Sequence, residues 1–175
     1  MGFDPDLEYK TSLPVISGPS MPVTFPTLPM PYVGYLPAGT WVAPSDTEDF
    51  EEVESRYWKK GRYCAKMEGF SCYPALQPGD FTMWEENPAP AVGKIVVAQR
   101  KGDHAATVKR LDWLNNEYAL KAINAAESDA EADGWGVVAM LVLVSWIDQE
   151  GGEVTVYRPD GIRPSQLIAI RGHQT

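Results

Sequence analysis

The sequence predicts one mostly-β domain behind a proline-rich N-terminal arm. Three observations lead there. Short runs with strand-like alternation, separated by turn residues, follow one another from Arg62 onward. The run GVVAMLVLVSW (136–146) is β-branched, continuous and bounded by glycine, which suits a buried strand better than an amphipathic helix. Eight of the 15 prolines (Pro5, Pro14, Pro19, Pro22, Pro26, Pro29, Pro31 and Pro37) fall in the first 37 residues. Each fixes φ and removes a backbone donor, so neither helix nor central strand is expected there.

In chain order, residues 1–32 are expected to form an extended arm or linker, with no room for a helix-turn-helix module. DTEDFEEVE (46–54) places six acids in nine positions and reads as a solvated turn or short helix. RYCAKMEG (62–69) alternates Tyr63, Ala65 and Met67 against Cys64, Lys66 and Glu68, the pattern of a half-buried strand. QPGD (77–80) is a turn signal, and FTMW after it a short strand. KIVVAQR (94–100), the turn KGDH and AATVKRL (105–111) form a β-hairpin. EYALKAI (117–123) fits strand or helix, with strand favoured; ESDAEAD (127–133) is an acidic loop, and EVTVYRP (153–159) is a candidate further strand. The domains expected are the arm (1–32), a folded domain (33–146) and a C-terminal extension (147–175).

The chain has 175 residues, 44% of them hydrophobic, with six Trp and eight Tyr, enough to bury a core. A net charge of −9 opposes direct DNA binding, which needs clustered Lys and Arg to displace counterions. The N-terminus lacks the basic start and apolar run of a signal peptide, and no apolar run approaches the roughly 20 residues of a spanning helix. No membrane attachment is therefore expected, and a cytoplasmic location is. Two cysteines, Cys64 and Cys72, make neither a disulfide framework nor a zinc site. No metal and no cofactor are expected.

Two segments carry chemistry. In GFSCYPALQPGD (69–80) a serine lies between a strand and a proline-containing turn. Turn geometry alone would account for Gly69, Pro74, Pro78, Gly79 and Asp80, leaving Ser71 a polar loop residue. In ATVKRL (106–111), alternation puts Thr107, Lys109 and Leu111 on one face and Val108 and Arg110 on the other. A lysine on an apolar face loses hydration, which penalises its charged form, and a neutral amine is a competent base for a serine hydroxyl. The plain alternative is a lysine whose stem covers apolar surface while its head reaches water. His104, in a polar turn, and His173, near the end, have no orienting acid in sequence and are poor candidates for a base.

Taken together, Gly69-Phe70-Ser71-Cys72-Tyr73-Pro74 with Gly79-Asp80, then Ile95-Val96-Val97-Ala98 and Thr107-Val108-Lys109-Arg110-Leu111, resemble the LexA/UmuD-type family of self-cleaving Ser/Lys peptidases. That family's Gly-x-Ser-Met-x-Pro pattern, followed by Gly-Asp, is shared with signal peptidases; here Cys72 stands for the Met. The 38 positions between Ser71 and Lys109 also fit. The resemblance covers roughly residues 31–146. It implies a compact, bent β-fold of the LexA C-terminal type, with a cleavage loop near 33–45. It also implies Ser71 as nucleophile, Lys109 as general base, the backbone N–H groups of Phe70 and Ser71 as oxyanion donors, and Ala38-Gly39 as the bond cut. Cys72 is the lesser candidate nucleophile, because the register of the pattern favours Ser71. The resemblance further implies a role in the DNA-damage (SOS) response or in phage-repressor regulation, with a RecA–single-strand DNA filament as trigger. The chain would be a UmuD-like accessory factor or the C-terminal part of a cleavable repressor. The alternative is a non-catalytic interaction module that keeps the fold. A homodimer is expected, because the apolar strand 136–146 has an edge to cover, the alternative being that the tail 147–175 covers it instead.

Overall fold

The computed structural model describes residues 25–36, 43–89, 91–130, 134–147 and 150–156. Nine strands join in one sheet: β1 (Thr27–Leu36), β2 (Phe50–Glu54), β3 (Arg62–Met67), β4 (Phe81–Glu86), β5 (Ile95–Arg100), β6 (Ala106–Leu114), β7 (Glu117–Lys121), β8 (Trp135–Ile147) and β9 (Glu153–Val156). Their order is β2-β1-β3-β4-β8-β5-β6-β7, with β9 also on β8. Every pairing is antiparallel except β1 with β3. The mostly-β class expected from the sequence is the class observed.

Local chemistry explains the hairpins. β6 and β7 are closed by Asn115 and Asn116, both at positive φ (51° and 65°). Asparagine tolerates that region, and two such residues match the twist of a tight hairpin. Between β5 and β6, Asp103 pairs with Arg100 and accepts from the Ala105 amide, while Gly102 takes a φ of 106°.

Two expectations are corrected. First, a strand does run through the arm. β1 begins at Thr27, within the stretch read as linker, and contains Pro29 and Pro31. The two prolines are one pleat apart, so their missing donors face the same side. That side is away from β2: their carbonyls accept from Trp58 Nε1 (3.0 Å) and Cys64 Sγ (3.3 Å), whereas the Tyr32 amide donates towards Asp49 O (2.9 Å). β3 pairs with β1 only from Tyr32 onward, so no ladder bond is lost to proline. Second, the acidic run is neither a helix nor only a turn. Residues 50–54 form β2, with Val53 buried and the glutamates outside, paired to β1 from Thr27 to Pro31. β8, for its part, is paired over most of 136–146. β4 covers one side along Ala139–Ser145; β5 covers the other along Trp135–Met140, and β9 continues it along Val144–Ile147. Part of the C-terminal extension is thus built into the sheet beside β8, as the alternative for that edge had it.

Both faces of the sheet are covered. Tyr63, Ala65, Met67, Trp84, Ile95, Val97, Val108 and Leu141 belong to one apolar cluster. Cys64, Met83, Val142 and Leu143 lie in a second, and Val96, Ala98 and Leu111 in a third. β3 is thus buried on both faces at Tyr63–Ala65 rather than half-buried. Inside the first cluster, Trp84 Nε1 donates to Thr82 Oγ1 (2.8 Å), which donates to Ala65 O (2.8 Å). Three buried polar groups are satisfied by that chain of bonds.

Candidate active site

Ser71 lies in the excursion between β3 and β4. The base of the excursion is closed by Met67 N to Asp80 O (2.9 Å) and Gly79 N to Met67 O (2.8 Å). Gly69 (φ 71°) and Gly79 (φ 86°) turn the chain at each end in a region that disfavours side chains. Asp80 is buried and accepts the Gln77 amide through Oδ2 at 2.9 Å. Between the ends, Tyr73 N donates to Phe70 O (3.0 Å) and Leu76 N to Cys72 O (2.9 Å), while Cys72, Ala75 and Leu76 plug into the main core cluster. Turn formation accounts for the glycines and the aspartate. It does not account for Ser71, whose hydroxyl caps nothing among the described residues: its neighbour is Cys72 Sγ at 3.7 Å.

Lys109 sits in β6, opposite Val96 of β5, and is 7% exposed. β7 pairs with β6 only from Arg110 onward, so residues 106–109 have no strand on that side. The serine excursion occupies the gap. Cys72 Sγ donates to Val108 O at 3.9 Å, so the residue after Ser71 packs on the residue before Lys109. The two segments singled out in sequence are therefore brought together. The Lys109 amine donates to Ser128 O (3.1 Å), and no hydrogen bond joins it to Ser71 among the described residues. An ammonium has three donors, so the Ser128 contact leaves capacity for a second partner. No hydrogen bond from the Phe70 or Ser71 amide to a backbone carbonyl is present among the described residues.

The loop 122–130, after β7, spans both segments. Besides Ser128 on Lys109, Asn124 Nδ2 donates to Phe70 O at 2.8 Å. The loop's base is held by Ala130 N to Leu120 O (3.1 Å) and by Asp129, which accepts from Lys121 (2.8 Å) and from the Ala122 amide (2.7 Å). The Lys121 ammonium holds the Asp129 carboxyl below its usual range. Sequence reasoning saw here only the end of a strand and an acidic loop. Nothing in the local pattern marks Asn124 or Ser128, because their partners are distant in the chain.

Burial pushes the Cys72 thiol up to about 11, against opposing pulls from Ser71 and Lys109. Burial likewise drives Cys64 up to about 12. Thiolate, not thiol, is the nucleophile, so Cys72 is a poor rival to Ser71. At pH 8 a thiol titrating near 11 is ionised about one part in a thousand. Neither cysteine should react with iodoacetamide in the folded protein at that pH, and both should react in urea. Fast alkylation of the native Cys72 by mass spectrometry would contradict this.

His104 occupies the exposed β5–β6 turn, where Nδ1 meets Gln99 Nε2 at 3.2 Å. His173, Ala38 and Gly39 lie outside the described residues. A groove of about 520 Å³ opens elsewhere, between the β1–β2 pair and the β8–β9 pair, and is lined by Val53, Tyr57, Phe81, Leu143 and Trp146 among others. It does not include Ser71 or Lys109. No helix among the described residues is long and apolar enough to cross a membrane.

The sheet seats a serine-bearing turn in the gap beside a strand lysine, and among the described residues the histidine, His104, lies in the exposed β5–β6 turn. Residues 31–142, more than half of the chain, match the Peptidase S24-like family, and the chain belongs to that family. The LexA/UmuD-type assignment made from the Ser71 and Lys109 segments agrees with that match. No curated protein matches the chain.

Proposed function

We propose that the chain is a self-cleaving serine peptidase of the LexA/UmuD type, which cuts its own Ala38-Gly39 bond with Ser71 and Lys109. The observation that carries this reading is the parallel pairing of β1 with β3. Leu36 is paired with Met67, and its carbonyl accepts the Glu68 amide at 2.7 Å. Ala38 follows Leu36 by two residues, a reach of at most about 7 Å. Ser71 follows Glu68 by three. The chain that enters the excursion and the chain that leads to the proposed cut thus start from one pair of hydrogen-bonded residues, which supports an intramolecular reaction.

In the mechanism, the neutral Lys109 amine takes the proton of Ser71 Oγ, and Oγ attacks the Ala38 carbonyl carbon. The oxyanion is held by the N–H groups of Phe70 and Ser71. Collapse breaks the C–N bond as the Lys109 ammonium protonates the Gly39 amine. Water, deprotonated by Lys109, then hydrolyses the Ser71 ester and frees the Ala38 carboxylate. Glycine after the cut lets the nucleophile approach without meeting a side chain.

A cytoplasmic setting in the SOS response or phage regulation, a RecA–single-strand DNA filament as trigger, and a homodimer belong to the same proposal. One observation favours a second reading, a non-catalytic module: the Lys109 amine is bonded to Ser128 O and not to Ser71. Intact mass before and after incubation at pH 10 separates the two. Self-cleavage should yield fragments 1–38 and 39–175 at a fractional rate independent of protein concentration. An unchanged mass would support the module, and a different terminus would move the site.

A further inference from the structure

We propose that Asn124 is a positioning residue for the oxyanion-binding turn, an inference that rests on the cleavage mechanism above. The Phe70 carbonyl and the Ser71 N–H belong to one peptide unit, and they point in opposite directions because that unit is planar. Whatever fixes the carbonyl therefore aims the N–H. The Phe70 carbonyl accepts two bonds, from Tyr73 N (3.0 Å) within the turn and from Asn124 Nδ2 (2.8 Å) across from it. Only the second comes from outside the excursion.

Asn124 is itself held. Its Oδ1 accepts the Ala126 amide at 2.9 Å, which leaves the Nδ2 side for Phe70 and settles the orientation of the amide. Its own carbonyl accepts Glu127 N at 3.0 Å, and Ile123 beside it packs on the main core cluster. Phe70 is 65% exposed, so its side chain gives the turn little grip. The loop that bonds Phe70 through Asn124 also bonds Lys109 through Ser128. Both halves of the reaction are thus referred to one frame, as pre-organised oxyanion donors require.

The test compares the full chain with Asn124→Ala and Asn124→Asp in self-cleavage from pH 7 to 10 and in labelling of Ser71 by a fluorophosphonate, whose phosphoryl oxygen uses the same donors. Asp keeps the acceptor for Ala126 and loses only the donor to Phe70, so it remains informative if Ala disturbs the loop. Losing an oxyanion donor outright costs about 100-fold or more, and misaiming one should cost about tenfold. Both variants should lose that factor in cleavage and labelling alike. Asp should be the slower of the two, because it sets a negative charge against the Phe70 carbonyl. The slope of the rate against pH should not change in Asn124→Ala, since the contact between Lys109 and Ser128 is untouched. Parent-like rates in both variants would overturn the inference and leave the cleavage reading intact. So would an Asp variant faster than Ala, or losses matched by an equal fall in melting temperature. A parent chain that neither cleaves nor labels would overturn the cleavage reading and the inference with it.

Discussion

Lys109→Ala should remain folded and uncut from pH 7 to pH 10, a range over which the parent accelerates steeply. The reaction needs a neutral amine, and a model lysine amine titrates at about 10.4. Well below its titration point, an amine base gains about tenfold in neutral fraction for each pH unit, so the rate should climb with a single-proton slope. Ser71→Ala should be equally silent. Lys109→Arg should fail as well, because guanidinium holds its proton throughout this range. Arg110→Ala should keep most of the activity: Arg110 lies on the opposite face of β6 and pairs across to Ile95 and Lys121. A histidine base would give a plateau above about pH 7 and make His104→Ala inactive. Fragment yields by mass spectrometry at five pH values distinguish the two. A Lys109→Ala chain that cuts at the parent rate would end the mechanism.

The largest effect on stability is expected from Trp84→Ala. Trp84 is fully buried in the cluster that also holds Cys72, Ala75 and Leu76 of the serine excursion. Removing it discards a large apolar side chain and its donor to Thr82, and leaves a cavity that neighbouring strands can only partly fill. Truncations of this kind cost about 3–5 kcal/mol. A domain's whole stability is about 5–15 kcal/mol, so the variant should unfold at much lower urea. The site should loosen before the sheet melts, because the excursion's anchors share the cavity's walls. A urea midpoint within experimental error of the parent would show that the cluster does not carry the fold.

Much of the strand set was legible because it is written in short-range alternation. Arg62–Met67, Phe81–Glu86, the β5–β6 hairpin, Glu117–Lys121 and the long β8 stand where periodicity and turn residues put them. Ser71 and Lys109 were singled out for a different reason: turn chemistry and strand patterning explain each segment taken alone, and only the resemblance of the paired segments to the LexA/UmuD-type family marks them as candidates.

The mostly-β class, the hairpins, the family and the serine and lysine to suspect could all be read from the order of residues alone. The tertiary structure decided what those residues meet. It ran β1 through Pro29 and Pro31, because both missing donors face the side where no ladder bond is needed. It turned the acidic stretch 50–54 into a strand, because β1 supplied a partner that local charge could not reveal. It set β4 on one side of β8, with β5 and then β9 on the other. It brought Asn124 and Ser128 onto the Ser71 turn and Lys109. In each case the deciding contact joins residues far apart in the chain, and a hydrogen-bond partner of that kind leaves no trace in the local pattern of side chains from which a sequence is read.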